Sequence, residues 1–158
     1  MKKKFAVVSL VMILIDLVVK TMVQQGLGFG NPLVLIPGFF NLEYYENTGA
    51  AWSFMEGHSC FFIIVATAVC FALIHYYFKE DHDIWTYAGI SLMFAGTFGN
   101  LFDRIVHGAV RDMFAFNFWG YHFPIFNVAD ACLVIGVGLI AIQVILEERS
   151  MKNEKNNN

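Results

Sequence analysis

Four blocks of this sequence, residues 5–23, 60–78, 84–102 and 125–146, are apolar along nearly their whole length. Each approaches the ~20 residues that a helix needs to cross ~30 Å of hydrocarbon. Blocks of that length leave few options. A backbone surrounded by lipid must satisfy its own N–H and C=O groups, so the segments are expected to be helices that pack on one another. The composition agrees, with 58% hydrophobic residues and a mean hydropathy of +0.58, against roughly 45–50% apolar residues in soluble domains. The N-terminus "MKKKFAVVSLVMILIDLVVKTMV" imitates a secretory leader, yet Asp16 interrupts the run and no A-x-A site follows it. A retained spanning helix is expected there.

Lys2, Lys3, Lys4, Lys79, Arg149, Lys152 and Lys155 fall on one side of this arrangement. Basic residues collect on the cytoplasmic side, so both termini are expected inside. Loops 24–59 and 103–124 then face outward, and 147–158 forms a polar, disordered cytoplasmic tail. The outer loops read as a small sheet, with strands near Leu33–Ile36 and Phe39–Tyr45 and a hairpin turning near Trp119–Gly120. Trp52, Trp119, Tyr44, Tyr45 and Tyr121 are expected at headgroup level. The fold class is thus an all-α membrane protein, a four-helix bundle with a small extracytoplasmic β-sheet, in a single domain over 1–146.

Polar residues within the blocks gather toward the outer end. Asp16 and Lys20 are one helical turn apart and can pair. Asn100, Asp103 and Arg104 close the third block, and Asn127 and Asp130 share a face at the start of the fourth. Asp112 lies in the loop that feeds the fourth, and Asn47 lies in the first outer loop. Ionisable groups at such depth are costly and point to function. Structural readings stand beside this one. Asp16 with Lys20 also suits a clamp between or within helices, Asp103 with Arg104 suits a helix end at the water boundary, and Asn47 suits a turn before Gly49. Asp112 and Asp130 are harder to assign to structure, because neither has a cation at helical spacing. Arg111 adjoins Asp112, but neighbouring residues do not face each other in regular structure. Ser91, Ala95 and Gly99 form a stripe of small residues that lets another helix approach.

Two close carboxylates in a dry site tend to share one proton. The ionised one draws a proton from water while the other polarises a carbonyl, which is general acid–base peptide hydrolysis. No metal or cofactor is expected. The sequence has no H-E-x-x-H, and His58, His75, His82, His107 and His122 form no i, i+4 pair. Cys60, Cys70 and Cys132 read as small buried hydrophobes. A formal charge of −3 with no basic stripe argues against nucleic acid. Two non-enzymatic readings remain, a small transporter and an assembly factor that uses the polar cluster as glue. The clustering of acids at one face, with the inner half of each span left dry, counts against a conduit.

"DLVVK" (16–20), "NTGAAWSF" (47–54), "GNLFDR" (99–104), "GAVRD" (108–112) and "FPIFNVADA" (123–131) occur in an order that resembles signal peptidase II, the bacterial lipoprotein signal peptidase family. The resemblance covers the chain from 5 to about 146. It implies an intramembrane aspartyl endopeptidase that cuts a prolipoprotein signal peptide just before a diacylglyceryl-modified cysteine. By motif, Asp112 and Asp130 match the catalytic pair, and Asn47, Asn100, Arg104 and Asn127 match residues that bind substrate or peptide-like inhibitors. Asp16 and Lys20 match a supporting pair, and Asp103 is expected to hold Arg104 and the loop. The resemblance also implies a monomer in the bacterial inner membrane, in contact with lipid, with its site near the outer leaflet. A short amphipathic helix is expected near Ala50–Glu56 as a lid. Met113 and the "AFNFW" stretch depart from the family pattern.

Overall fold

The computed structural model describes residues 2–49, 55–79 and 81–156. In chain order the elements are α1 (Lys2–Gly26), β1 (Leu33–Ile36), β2 (Phe40–Asn47), α2 (Ser59–Lys79), α3 (Ile84–His107), β3 (Val110–Phe118), β4 (Tyr121–His122) and α4 (Val128–Asn156). Three of the helices, α1, α2 and α4, are long and apolar enough to cross a membrane. The remaining helix, α3, is the hub. It packs against α1, α2 and α4 and touches β3. That central place explains its sequence. It buries Thr86, Ser91, Thr97, Asn100 and Asp103, polar residues a lipid-facing helix would not carry.

Asp83 starts α3 cleanly, its Oδ1 accepting from the N–H groups of Trp85 (2.7 Å) and Thr86 (3.1 Å). At the other end Gly108, with φ of 77°, donates its N–H to Arg104 O in the left-handed C-cap that glycine supplies without steric cost. The helix therefore runs five residues beyond the expected end at 102, so Asp103 and Arg104 are helical instead of lying in the loop.

Without a hydrophobic force between helices in lipid, close packing depends on small residues. The expected stripe of Ser91, Ala95 and Gly99 is buried, and it faces α1: Ser9 Oγ donates to Ser91 O at 3.0 Å. A second glycine set brings α4 in. A Cβ at Gly96 would lie 2.3 Å from Ala129 O, and one at Gly136 would lie 2.7 Å from Gly89 O. Backbone thus meets backbone where α4 begins, which fixes the height of Asp130 against Asn100.

The sheet has the order β1-β2-β3-β4, all antiparallel. Strands β1 and β2 fall where the residue pattern places them. So does the hairpin, in which Trp119 (φ 53°) and Gly120 (φ 95°) both take positive φ, as a type I′ turn requires. The β2–β3 ladder is broken by a bulge between Leu42 and Tyr45.

Several expectations need correction. The tail beyond 146 continues α4 as far as Asn156. Glu147, Glu148, Arg149 and Lys152 are good helix formers, and Gln143 Nε2 donates to Glu147 Oε1 at 3.0 Å one turn away. Helix α4 also starts later than 125, because the segment before it is tied to β3 through the bridge Phe114–Phe126. Tyr44 is buried against Val23 and Met113 instead of lying with the exposed Trp119, Tyr45 and Tyr121. Cys60 is exposed, whereas Cys70 and Cys132 are buried. Of the expected lid, 50–54 lies outside the described residues, as does Trp52, and Met55–Gly57 is a turn with Met55 at φ 53°.

Candidate active site

Five elements deliver polar side chains to one end of the bundle. From α1 come Asp16, Lys20 and Gln24, spaced four residues apart and hence on one face. Asn47 ends β2, Asn100, Asp103 and Arg104 come from the last turns of α3, and Arg111 and Asp112 are neighbours on β3. Asn127 and Asp130 flank the start of α4.

Asn127 and Asp130 form a capping box. Asn127 Oδ1 accepts from Asp130 N–H at 2.9 Å, while Asp130 Oδ2 accepts from Asn127 N–H at 3.2 Å. The box leaves the side-chain amide of Asn127 free to point elsewhere. Its Nδ2 donates to Asp112 Oδ1 at 2.6 Å and to Asn100 Oδ1 at 3.1 Å. One asparagine therefore bridges the two aspartates, Asp112 through its side chain and Asp130 through its backbone. Asn100 completes the frame by donating from Nδ2 to Asp130 Oδ1 at 2.7 Å. Asn47 Nδ2 donates to Asp112 Oδ2 at 3.1 Å, and Asn47 Oδ1 also accepts from Gly49 N–H at 2.9 Å. The turn role and the site role expected of Asn47 both occur.

Behind this frame lies a fully buried ionic network. Lys20 Nζ meets Asp16 Oδ2 at 2.7 Å, Asp103 Oδ2 at 3.2 Å and Asn100 Oδ1 at 3.1 Å. Asp16 Oδ1 also accepts from Ala129 N–H at 2.9 Å, which satisfies another first-turn amide of α4. Asp103 does not hold Arg104, as expected, but Arg111. Arg111 Nη2 and Nε reach Asp103 Oδ1 at 2.7 and 3.2 Å, and its Nη1 donates to Gln24 Oε1 at 2.9 Å. Arg104 turns the other way, with Nη2 donating to Gly49 O at 2.9 Å and its guanidinium over the Phe62 ring at 5.0 Å.

The charges in this cluster nearly cancel. The carboxylates of Asp16, Asp103, Asp112 and Asp130 face the cations of Lys20, Arg104 and Arg111, so one added proton makes the set neutral. Asp112 is where that proton fits best. Burial first, then the neighbouring Asp130 charge, push its carboxyl up to about 7, against the opposing pull of Asn47, Asn127 and Lys20. The arrangement can hold one proton between two carboxyls, each already oriented by amides, and that is what acid–base chemistry needs. Among the described residues, no group of three or more His, Cys, Asp or Glu side chains is placed to hold a metal ion.

All nine residues singled out from the sequence belong to this one cluster. Arg111 and Gln24 join them without having been expected. The signal for Gln24 is the spacing of Asp16 and Lys20, carried one turn further. Arg111 cannot face Asp112, its neighbour on the strand, and for the same reason it can face Asp103.

A helical membrane protein with two amide-bridged carboxyls at one end of its bundle, Asp112 buried and Asp130 half-buried, is the class that fold and site define. The family model described as signal peptidase (SPase) II matches residues 8–146, and the chain belongs to that family. Curated relatives agree. The lipoprotein signal peptidase of Staphylococcus haemolyticus (strain JCSC1435) is 38% identical, covering 95% of this chain and 99% of that protein. That of Staphylococcus aureus (strain JH9) is 38% identical over 94% of this chain and 91% of its own. A bacterial membrane enzyme solved by the in meso method at 2.3 Å resolution superposes with a TM-score of 0.86. It is 34% identical, over 92% of this chain and 90% of the solved one.

Proposed function

We propose that Asp112 and Asp130 are the catalytic pair of an aspartyl endopeptidase, and that its substrate is a diacylglyceryl-modified prolipoprotein cut just before the lipidated cysteine. The observation that carries this reading is the bridge made by Asn127, which donates to Asp112 from its side chain and to Asp130 from its backbone. In the reaction, ionised Asp130 takes a proton from water and the oxygen of that water attacks the scissile carbonyl carbon. Protonated Asp112 gives its proton to the carbonyl oxygen. Collapse of the tetrahedral intermediate then breaks the C–N bond: one of its two hydroxyls returns a proton to Asp112 as the carbonyl re-forms, and the departing amine takes a proton from Asp130. No metal, cofactor or covalent intermediate takes part.

Arg104, Asn47, Asn100 and Asn127 line the place where the peptide lies. Arg104 Nε has no hydrogen-bond partner among the described residues, so one donor remains for a substrate carbonyl. Asp16, Lys20 and Asp103 support the frame from behind. The chain over 1–146 is one domain with four spans, α3 being the fourth, and the residues beyond it extend into the cytoplasm. Lys2 pairs with Asp81 at 3.1 Å, which sets the start of α1 beside the link between α2 and α3. The basic residues of both thus lie at one end, the cytoplasmic end. The site and the sheet then face the outer leaflet of the bacterial inner membrane, where the acyl chains of the substrate stay in lipid.

The test uses the purified protein in lipid bilayers with a precursor peptide, with and without the diacylglyceryl group, the products being identified by mass. Cleavage before the cysteine of the lipidated peptide alone is expected; cutting neither peptide would overturn the assignment. The same assay gives a pH profile. Catalysis requires one carboxyl protonated and one ionised, and the proton on Asp112 leaves at about pH 7. kcat/KM is therefore expected to fall as pH rises above about 7. A flat profile across that range would count against the shared proton.

A further inference from the structure

Asp112 is aimed by a strand, and strands are poor at fixing direction by themselves. Successive side chains on β3 point to opposite faces, so a slip of one residue would turn Asp112 away and present Arg111 or Met113 instead. The ladder that should prevent this is weakest here. Three pairs, Tyr45–Asp112, Glu46–Arg111 and Asn47–Val110, lie beyond the bulge that separates them from Leu42–Phe114. On the opposite edge of β3, the tie to Phe126 O begins only at the N–H groups of Met113 and Phe114, at 3.0 and 2.8 Å.

Arg111 supplies what the ladder lacks. Its N–H donates to Asp103 Oδ2 at 3.0 Å, where a strand partner would otherwise sit. Its guanidinium binds Asp103 Oδ1 and Gln24 Oε1. Arg111 is 3% exposed and Asp103 is fully buried, so no water competes for the bonds between them; Gln24 is half-buried. Three side-chain donors in one rigid plane cannot be matched by a lysine. Asp103 in turn holds Lys20, and Lys20 holds Asn100, which meets Asp130.

We propose that Arg111 is a positioning residue: clamped to Asp103 and Gln24, it locks β3 in the phase and register that turn Asp112 toward Asn127 and Asp130. It touches neither substrate nor the reacting carboxyls and acts through the strand. The role rests on the reading of Asp112 as catalytic.

Arg111→Lys and Arg111→Met test it in the full chain, reconstituted in bilayers. Misplacing a catalytic group by about 1 Å costs up to about 100-fold. Both variants are expected to lower kcat about 10- to 100-fold with KM within about twofold, the mark of an interaction felt in the transition state. Specific activity is referred to the folded fraction, measured by near-UV circular dichroism. A second reading follows the carbon-13 carboxyl signal of Asp112, identified by its loss in Asp112→Asn, whose titration midpoint is expected to move in Arg111→Lys. Wild-type kcat and an unmoved midpoint in Arg111→Lys would overturn the role. So would a fall in rate that only follows the fall in folded protein. If the wild type cuts no precursor, the catalytic reading fails by itself, and the carboxyl titration still decides whether Arg111 governs Asp112.

Discussion

Asp112→Asn and Asp130→Asn are each expected to lower the rate of precursor cleavage by about 10²- to 10⁴-fold, the scale of a lost general acid or base. The fold is expected to survive both changes. An amide at position 112 can still offer an oxygen to Asn127 Nδ2, and an amide at position 130 can still accept from the Asn127 N–H within the capping box. The two variants separate in their response to pH. In the folded chain Asp112 loses its proton at about pH 7, and in the unfolded chain at about pH 4. Between these values the folded state binds the extra proton, so the contribution of Asp112 to wild-type stability falls as pH rises from about 4 to about 7 and then levels. Asp112→Asn removes that contribution to the slope. Unfolding midpoints of both proteins at about pH 5 and about pH 8 check it, one on either side of the folded-state titration. Equal slopes would sink the placement of the proton on Asp112. Substantial cleavage by both variants would sink the catalytic pair.

Lys20→Met produces a different failure. It removes the cation that Asp16, Asp103 and Asn100 share, and all its contacts lie out of reach of water. Breaking a buried pair from one side costs about 3–5 kcal/mol, because the surviving charge stays buried and unpaired. The expected result is a sharp loss of folded, detergent-stable protein, with activity lost in proportion. Adding Asp16→Asn removes one of the stranded charges and is expected to recover part of the stability. A Lys20→Met protein as stable as the wild type would mean that the network is ornamental to the fold. The contrast is diagnostic. Asp112 and Asp130 variants keep their structure and lose rate, whereas the Lys20 variant loses structure first.

Much of this is readable from residue order. Apolar length marks α1, α2 and α4 because a bilayer admits little else, and the Trp119–Gly120 turn is local chemistry. Asp16 and Lys20 pair as their spacing requires. What stays hidden in the sequence depends on long-range packing. The partner of Asp103 is eight positions away, across a cap and a strand start, and no periodicity spans such a junction. Asn127 is visible as a helix start, but the second set of partners of its side-chain amide exists only once α3 and β3 have arrived. The helical extension of α4 is obscured by polar residues that suit disorder and exposed helix alike.

The first turn of α4 has a consequence for how far the site can vary. Its free amides are served by the side chains of Asp16, Asn127 and Asp130, members of the cluster itself. A substitution at Asn127 or Asp130 that leaves no side-chain acceptor also unseats the start of a helix, whereas an amide at position 130 keeps it. Chemical change at these two positions is therefore confined to side chains that still cap a helix.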